Sequence, residues 1–288
     1  MKDKYLFSAE SDPVMVFPTD GSNFVNTGIA LILSALRSRF FGDLFKVWIV
    51  VPPGTQSDQE RFFSKLAGSS SFSYLNGNVR DDDMYFIQLG MLDVADRLAD
   101  DQVMVCIDYD HLATASSPFS AFILPDNSIR VSSETGCIAV DPVPPELHAL
   151  QGDNGLVTHL NASLILGRAR ELSSISGPWK SSYEEISNRV DFRHRVEIAL
   201  SIAAKRTSVD IAPVEPQFQG NFMYPADDPF LFHYGGESAI SSQMKKGLGE
   251  ISDLFSGVGP SDDYAIELHD DLCLELDLLM KTTRDKNN

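Results

Sequence analysis

The sequence predicts an α/β fold: a mostly parallel central sheet flanked by helices, followed by a helical extension at the carboxyl end. Three observations predict it. Short apolar runs alternate with segments of helical period over most of the chain. The 288 residues are 43% hydrophobic and 10% aromatic, enough to bury a large core. Polar residues also recur immediately after the apolar runs, which is where open α/β sheets hold their ligands.

The elements follow in order. Residues 14–17 read as the first strand, closed by the turn-forming cluster Pro18-Thr19-Asp20-Gly21. Within 24–41, Val25, Ile29, Ile32, Leu33 and Leu36 recur at helical spacing. Residues 46–51 form a second strand before Pro52-Pro53-Gly54, and Ser57 with Glu60 has the form of a capping box opening a helix over 57–66. A weak strand over 72–75 and a helix over 84–98 precede the apolar run Val103-Met104-Val105-Cys106-Ile107, too short for a helix and suited to a central strand. Later strands are expected over 129–140, 160–166, 209–212 and 230–233, with mostly helical sequence over 183–204. Residues 1–236 thus read as one domain. Residues 237–288 read as two helices, rich in leucine, that pack on that domain or across a dimer.

Net charge is −18, from 23 Lys and Arg against 41 Asp and Glu, with the acids spread along the chain. Such a balance repels a phosphate backbone, and the basic stretches 189–195 and 245–246 are too short to offset it. Cys106, Cys137 and Cys273 lie far apart, which disfavours a disulfide framework or a zinc site. No run approaches the ~18 apolar residues of a membrane span, and residues 1–12 do not read as a leader, so a cytoplasmic protein is expected.

Three segments carry candidate chemistry. In Asp108-Tyr109-Asp110, two carboxylates emerge at the end of the expected central strand, where they can hold a hard divalent cation and leave positions open for diphosphate oxygens. The competing reading is chance in an acidic chain, as Asp81-Asp82-Asp83 illustrates. In Phe232-His233-Tyr234-Gly235-Gly236, a neutral imidazole could ligate a metal while the glycines allow a phosphate close to the backbone; a structural histidine is the alternative. Asn161, at a strand edge beside Ala162 and Ser163, could hydrogen-bond sugar hydroxyls or satisfy a turn.

Taken in this order, the segments resemble the GT-A glycosyltransferases, a Rossmann-like nucleotide-diphospho-sugar transferase fold, and in particular their family-8-like group. The resemblance covers about residues 14–236. It implies transfer of a hexosyl or pentosyl unit from a nucleotide-sugar, UDP-linked by expectation, to an acceptor hydroxyl of a glycan or small molecule, with retention. It implies Mn²⁺ or Mg²⁺ held by Asp108, Asp110 and His233. Thr19, Asp20, Asn23, Asp108, Tyr109, Asn161, Ala162, Asn221, Gly235 and Gly236 would then line the nucleotide-sugar, with Glu197 and Asn161 in catalytic roles. For Glu197 the roles open are a general base on the acceptor, which would mean inversion, a group orienting the donor sugar, or a solvated or N-terminal helix carboxylate.

The chain departs from the family pattern in three places. Ala162-Ser163 replaces a small-Gly step, no Lys-Pro-Trp follows His233, and Val196-Glu197 stands where Asp-Gln is customary. These departures keep in view a catalytically idle binding protein of the same fold. A transferase decorating modified DNA bases is disfavoured by the net charge. A hydrolase pairing Asp108 with Glu197 has residue type alone behind it.

Overall fold

The structure is a computed structural model; it describes residues 13–18, 31, 35, 46–51, 71–76, 88–108, 111–113, 124–133, 145, 147, 160–189, 194–214, 219–221 and 231–233. The chain divides into two compact units. One comprises Met1–Val16, Asn78–Ile107 and Phe122–Val214; the other comprises Phe17–Gly77, Asp108–Ala121 and Glu215–Asn288.

Ten strands are seen among the described residues: β1 (Val14–Pro18), β2 (Lys46–Val51), β3 (Ser71–Asn76), β4 (Val103–Ile107), β5 (His111–Ala113), β6 (Ser128–Ser133), β7 (Leu160–Arg168), β8 (Asp210–Pro213), β9 (Gln219–Asn221) and β10 (Leu231–His233). Seven of them form one sheet in the order β3-β2-β1-β4-β7-β6-β8, and three form a second in the order β5-β10-β9. In the larger sheet β2 with β3, β1 with β4, and β6 with β8 run parallel, while β7 is antiparallel to β4 and to β6. The expected mostly parallel sheet is therefore present. β1 and β4 are buried at every position, as continuous apolar strands covered on both faces must be.

In the first unit, helices α1 (Ala169–Ser187) and α2 (Arg195–Thr207) pack against one another and on the strands. α1 buries Leu172, Ile175, Ser176, Trp179, Ser182, Tyr183 and Ile186, one stripe at helical period. Trp179 is wholly buried, and its indole Nε1 donates to the carbonyl of Val196 at 2.9 Å, joining the middle of α1 to the start of α2. Gly167, near the end of β7, permits close helix–strand approach: a Cβ there would lie 2.7 Å from Leu172 Cγ and 3.0 Å from Ile129 Cγ2. A 3₁₀ helix (Gly90–Arg97) is tied to α1 by Ser176 donating to Asp93 at 2.6 Å, Lys180 to Asp93, and Ser173 to Asp96 at 2.6 Å.

Some elements differ from the sequence reading. The helix expected over 84–98 is 3₁₀ over its described part from Gly90, and closes with Leu98 N–H donating to the carbonyl of Ala95. The helical sequence over 183–204 is two helices, parted after Ser187, and α1 begins well before Tyr183. Gly177-Pro178 disguises that earlier start, because the pair reads as a loop signal although both residues lie inside α1. β5 has no counterpart in the sequence reading. The helix expected over 57–66 and the extension 237–288 lie outside the described residues. No helix among the described residues is long and apolar enough to cross a membrane.

Candidate functional site

The order of the larger sheet reverses between β1 and β4, the first parallel pair on either side of which the chain winds outward. Val14, Met15 and Val16 lie beside Met104, Val105 and Cys106, so the carboxyl ends of these two strands lie together. In open α/β sheets this switch point is the crevice where ligands bind. Asp108 directly follows β4 there and is nearly buried, 9% exposed. A buried carboxylate needs its charge compensated, so this burial sets it apart from described acids such as Asp96, Asp100 and Asp126, which are exposed.

His111 opens β5 and is fully buried. Its Nδ1 lies 3.0 Å from the carbonyl oxygen of Asp108. A carbonyl only accepts, so Nδ1 carries the proton and donates. The bond joins residues three apart in sequence; Tyr109 and Asp110 between them lie outside the described residues.

The three-stranded sheet then brings distant segments to the same place. β10 is antiparallel to β5 with His233 across from His111, and parallel to β9 with His233 across from Asn221. One row of the sheet therefore runs His111, His233, Asn221, and its first member is the residue after Asp110. Two candidates far apart in sequence, His233 and Asn221, stand at the backbone level beside the segment that carries the paired carboxylates. All of these residues belong to the second unit.

Asn161 and Ala162 belong to the first unit, on the part of β7 that continues past the carboxyl end of β4, where Ile107 pairs with Leu164. Toward β6, Val131 pairs with Ile165 but Ser132 pairs with Asn161, so Ala162, Ser163 and Leu164 are extra residues on β7. Asn161 Oδ1 accepts the backbone N–H of Ser163 at 2.8 Å, bracing this bulge from within. Bulges recur beside active sites because they re-aim side chains and end regular pairing. The turn-satisfying role of Asn161 is visible in this hydrogen bond. Ala162 and Ser163 are buried, so the bulge is packed.

Glu197 lies in the first turn of α2, half-buried, with its Oε2 buried. The residues before it are held by α1. Arg195 Nε donates to Tyr183 Oη at 2.9 Å, its guanidinium stands 5.6 Å from the centre of that ring, and Val196 accepts from Trp179. Cys106, in the middle of β4, is wholly buried, and burial pushes its thiol pKa well up, so it is inert as a nucleophile.

Thr19, Asp20, Asn23, Tyr109, Asp110, Gly235 and Gly236 lie outside the described residues. Among the described residues no group of three His, Cys, Asp or Glu side chains gathers around a common point. The set offered by Asp108, Asp110 and His233, two carboxylates and an imidazole, has the chemistry of an Mg²⁺ or Mn²⁺ site. Sequence reasoning missed His111, whose only signal is its position directly after the second carboxylate.

No protein-family model matches the chain, and no curated protein sequence does. Solved structures do match in fold. A galactosyltransferase, LgtC, in complex with donor and acceptor sugar analogues aligns with TM-score 0.60 at 12% identity over 87% of this chain and 98% of that one. The bifunctional glycosyltransferase WbbM aligns with TM-score 0.57 at 12% identity over 92% of this chain and 52% of that one. Mouse xyloside xylosyltransferase 1 aligns with TM-score 0.52 at 10% identity over 80% and 99%. At these identities the likeness is one of fold, and the fold of this chain is that of the GT-A glycosyltransferases.

Proposed function

We propose that this protein is a metal-dependent glycosyltransferase that moves a sugar from a nucleoside-diphosphate donor, UDP-linked by preference, to an acceptor hydroxyl. The observation that carries the reading is the row His111, His233, Asn221, because it brings the chain around a late histidine to the residue following Asp110, at the end of the strand beside the sheet's switch point. The fold neighbours support the class of reaction: one is a galactosyltransferase holding donor and acceptor sugar analogues, another a xylosyltransferase.

Asp108, Asp110 and His233 would hold Mn²⁺ or Mg²⁺, which when bound supplies charge neutralisation to the departing diphosphate. Asp108 sits where it can serve the ribose or the cation. Thr19, Asp20 and Asn23, which follow β1 in sequence, would bind the base and ribose, and Gly235 and Gly236 would admit the diphosphate close to the backbone. Asn161, anchored on the bulge, offers its amide to sugar hydroxyls.

Glu197 orients the donor sugar, with its helix start held rigid by Trp179 and Tyr183. A carboxylate aimed at the donor sugar would stabilise developing positive charge at the anomeric carbon, in a retaining or an inverting transfer alike. One fold neighbour is an active-site mutant of LgtC in which Gln is replaced by Glu, and Glu197 stands where the family pattern has Gln.

The test is consumption of a panel of nucleotide-sugars with Mn²⁺ and with chelator. Wild type turns over one donor only with the cation, and Asp110→Ala lowers that rate at least about a hundredfold with an unchanged melting temperature. Full activity in chelator removes the metal from the mechanism. Tight diphosphate binding without turnover of any donor makes the protein an idle member of the fold.

A further inference from the structure

We infer that His111 is a positioning residue for the cation site, acting through the backbone of Asp108 rather than as a ligand; the inference rests on the metal-dependent reading above. Three features of the same residue point this way. His111 is fully buried, although an imidazole ordinarily keeps part of its ring in water. Its Nδ1 donates to the carbonyl of Asp108 at 3.0 Å, so the hydrogen bond spans the two residues, Tyr109 and Asp110, that separate donor from acceptor. In the β5–β10 ladder it stands across from His233, so the residue bonded to the Asp108 carbonyl also sits in register with the strand bearing the candidate imidazole ligand.

Two carboxylates that share a cation repel each other before it arrives, and that repulsion favours backbone positions that separate them. A bond from a buried ring to the Asp108 carbonyl fixes the backbone at one of the two. Part of the ordering cost of binding is thereby met in the folded protein, which raises cation affinity without adding a ligand. Outer partners that orient metal ligands are worth ten- to a hundredfold in metal affinity. Burial of the ring serves the same end: an exposed Nδ1–H would trade its bond to Asp108 for water at little loss, whereas a buried one has no such exchange.

The chemistry separates this role from direct ligation. The carboxamide nitrogen of asparagine takes the place of Nδ1, and that of glutamine takes the place of Nε2. His111→Asn therefore keeps a donor aimed at the Asp108 carbonyl, His111→Gln moves the donor away from it, and His111→Ala removes it.

The experiment measures Mn²⁺ attachment to the full-length protein by water-proton relaxation enhancement, in the presence of an equimolar mixture of ADP, GDP, CDP and UDP. The four proteins compared are wild type, His111→Ala, His111→Asn and His111→Gln, each checked for its melting temperature. The expected result is Mn²⁺ binding by wild type, a loss of about tenfold or more in affinity for His111→Ala and His111→Gln, and recovery to within about threefold of wild type for His111→Asn. If His111→Ala does not fold, the contrast between the other two variants decides. Equal affinity in all folded variants overturns the positioning role and leaves the metal site standing. Recovery by His111→Gln but not by His111→Asn overturns it too, since the active nitrogen would then be Nε2. Absence of any Mn²⁺ signal in wild type overturns the metal-dependent reading itself, and the positioning role with it.

Discussion

The two sheets of this protein are built on different terms. The seven-stranded sheet rests on β1 and β4, five-residue strands with every position buried, and on β7, whose interior is covered by α1 and α2. The three-stranded sheet is made of three-residue strands, and the residues aligned across one of its rows are His111, His233 and Asn221. Apolar burial scales with area, so the first kind of sheet can bear most of the stability, whereas strands this short bury little. The lesson is a division of labour: the large sheet supplies the frame, and the small one sets polar groups in register. Mutations on the frame should move stability and leave ligand affinity per folded molecule alone; in the polar row a change at His233 should move ligand affinity, while one at the fully buried His111 should move both.

The largest stability effect belongs to Trp179→Ala. It empties a fully buried site and deprives the Val196 carbonyl of its indole donor. Chemical denaturation should show a loss of about 3–5 kcal/mol; a loss below about 1 kcal/mol would mean that α1 and α2 do not carry the frame.

Next comes Gly167→Ala. The new methyl would lie 2.7 and 2.8 Å from Leu172 Cγ and Cδ2, and Leu172 is itself fully buried with little room to swing away. Overpacking of this kind should cost about 1–3 kcal/mol, read from the denaturation midpoint at constant slope.

Smallest is Glu185→Gln. Glu185 accepts from Arg206 at 2.9 Å and from Arg189 at 2.7 Å, and these partners, Arg206 first, hold its carboxyl below the ordinary range. A depressed carboxyl stabilises the fold fully above its unfolded value and loses that contribution as pH falls through the folded one. The groups are partly exposed, so removing the charge should cost no more than about 0.5 kcal/mol near neutrality and nothing at acid pH. A cost that persists unchanged in acid would point to packing, not charge.

Much of the frame was legible in the sequence, because continuous apolar runs bounded by Pro, Gly or Asp encode buried parallel strands: 14–17, 46–51 and 103–107 were read to within a residue of β1, β2 and β4. α1 was half missed, since Gly177-Pro178 speaks locally for a loop while the stripe from Leu172 to Ile186 speaks for a helix, and packing decided for the stripe. β5 could not be read at all: His-Leu-Ala has no pattern of its own and is a strand only through its pairing with β10. The same applies to the bulge on β7, where three residues slip from register and Asn161 braces them. At the candidate site, Asp108 announced itself by following an apolar strand. His111 did not, because its burial and its bond to the Asp108 carbonyl are properties of the folded turn.

The central claim is the proposed one, that Asp108, Asp110 and His233, all in the second unit, hold a cation beside a diphosphate. The most direct measurement is a thermal-shift titration of wild type and His233→Ala with each nucleoside diphosphate, with and without Mn²⁺. The account predicts that one diphosphate raises the wild-type melting temperature only when Mn²⁺ is present, by mass action on the folded state, and that His233→Ala loses that increment while melting at the wild-type temperature without ligand. An equal rise in chelator, or an undiminished Mn²⁺-dependent rise in His233→Ala, would contradict it.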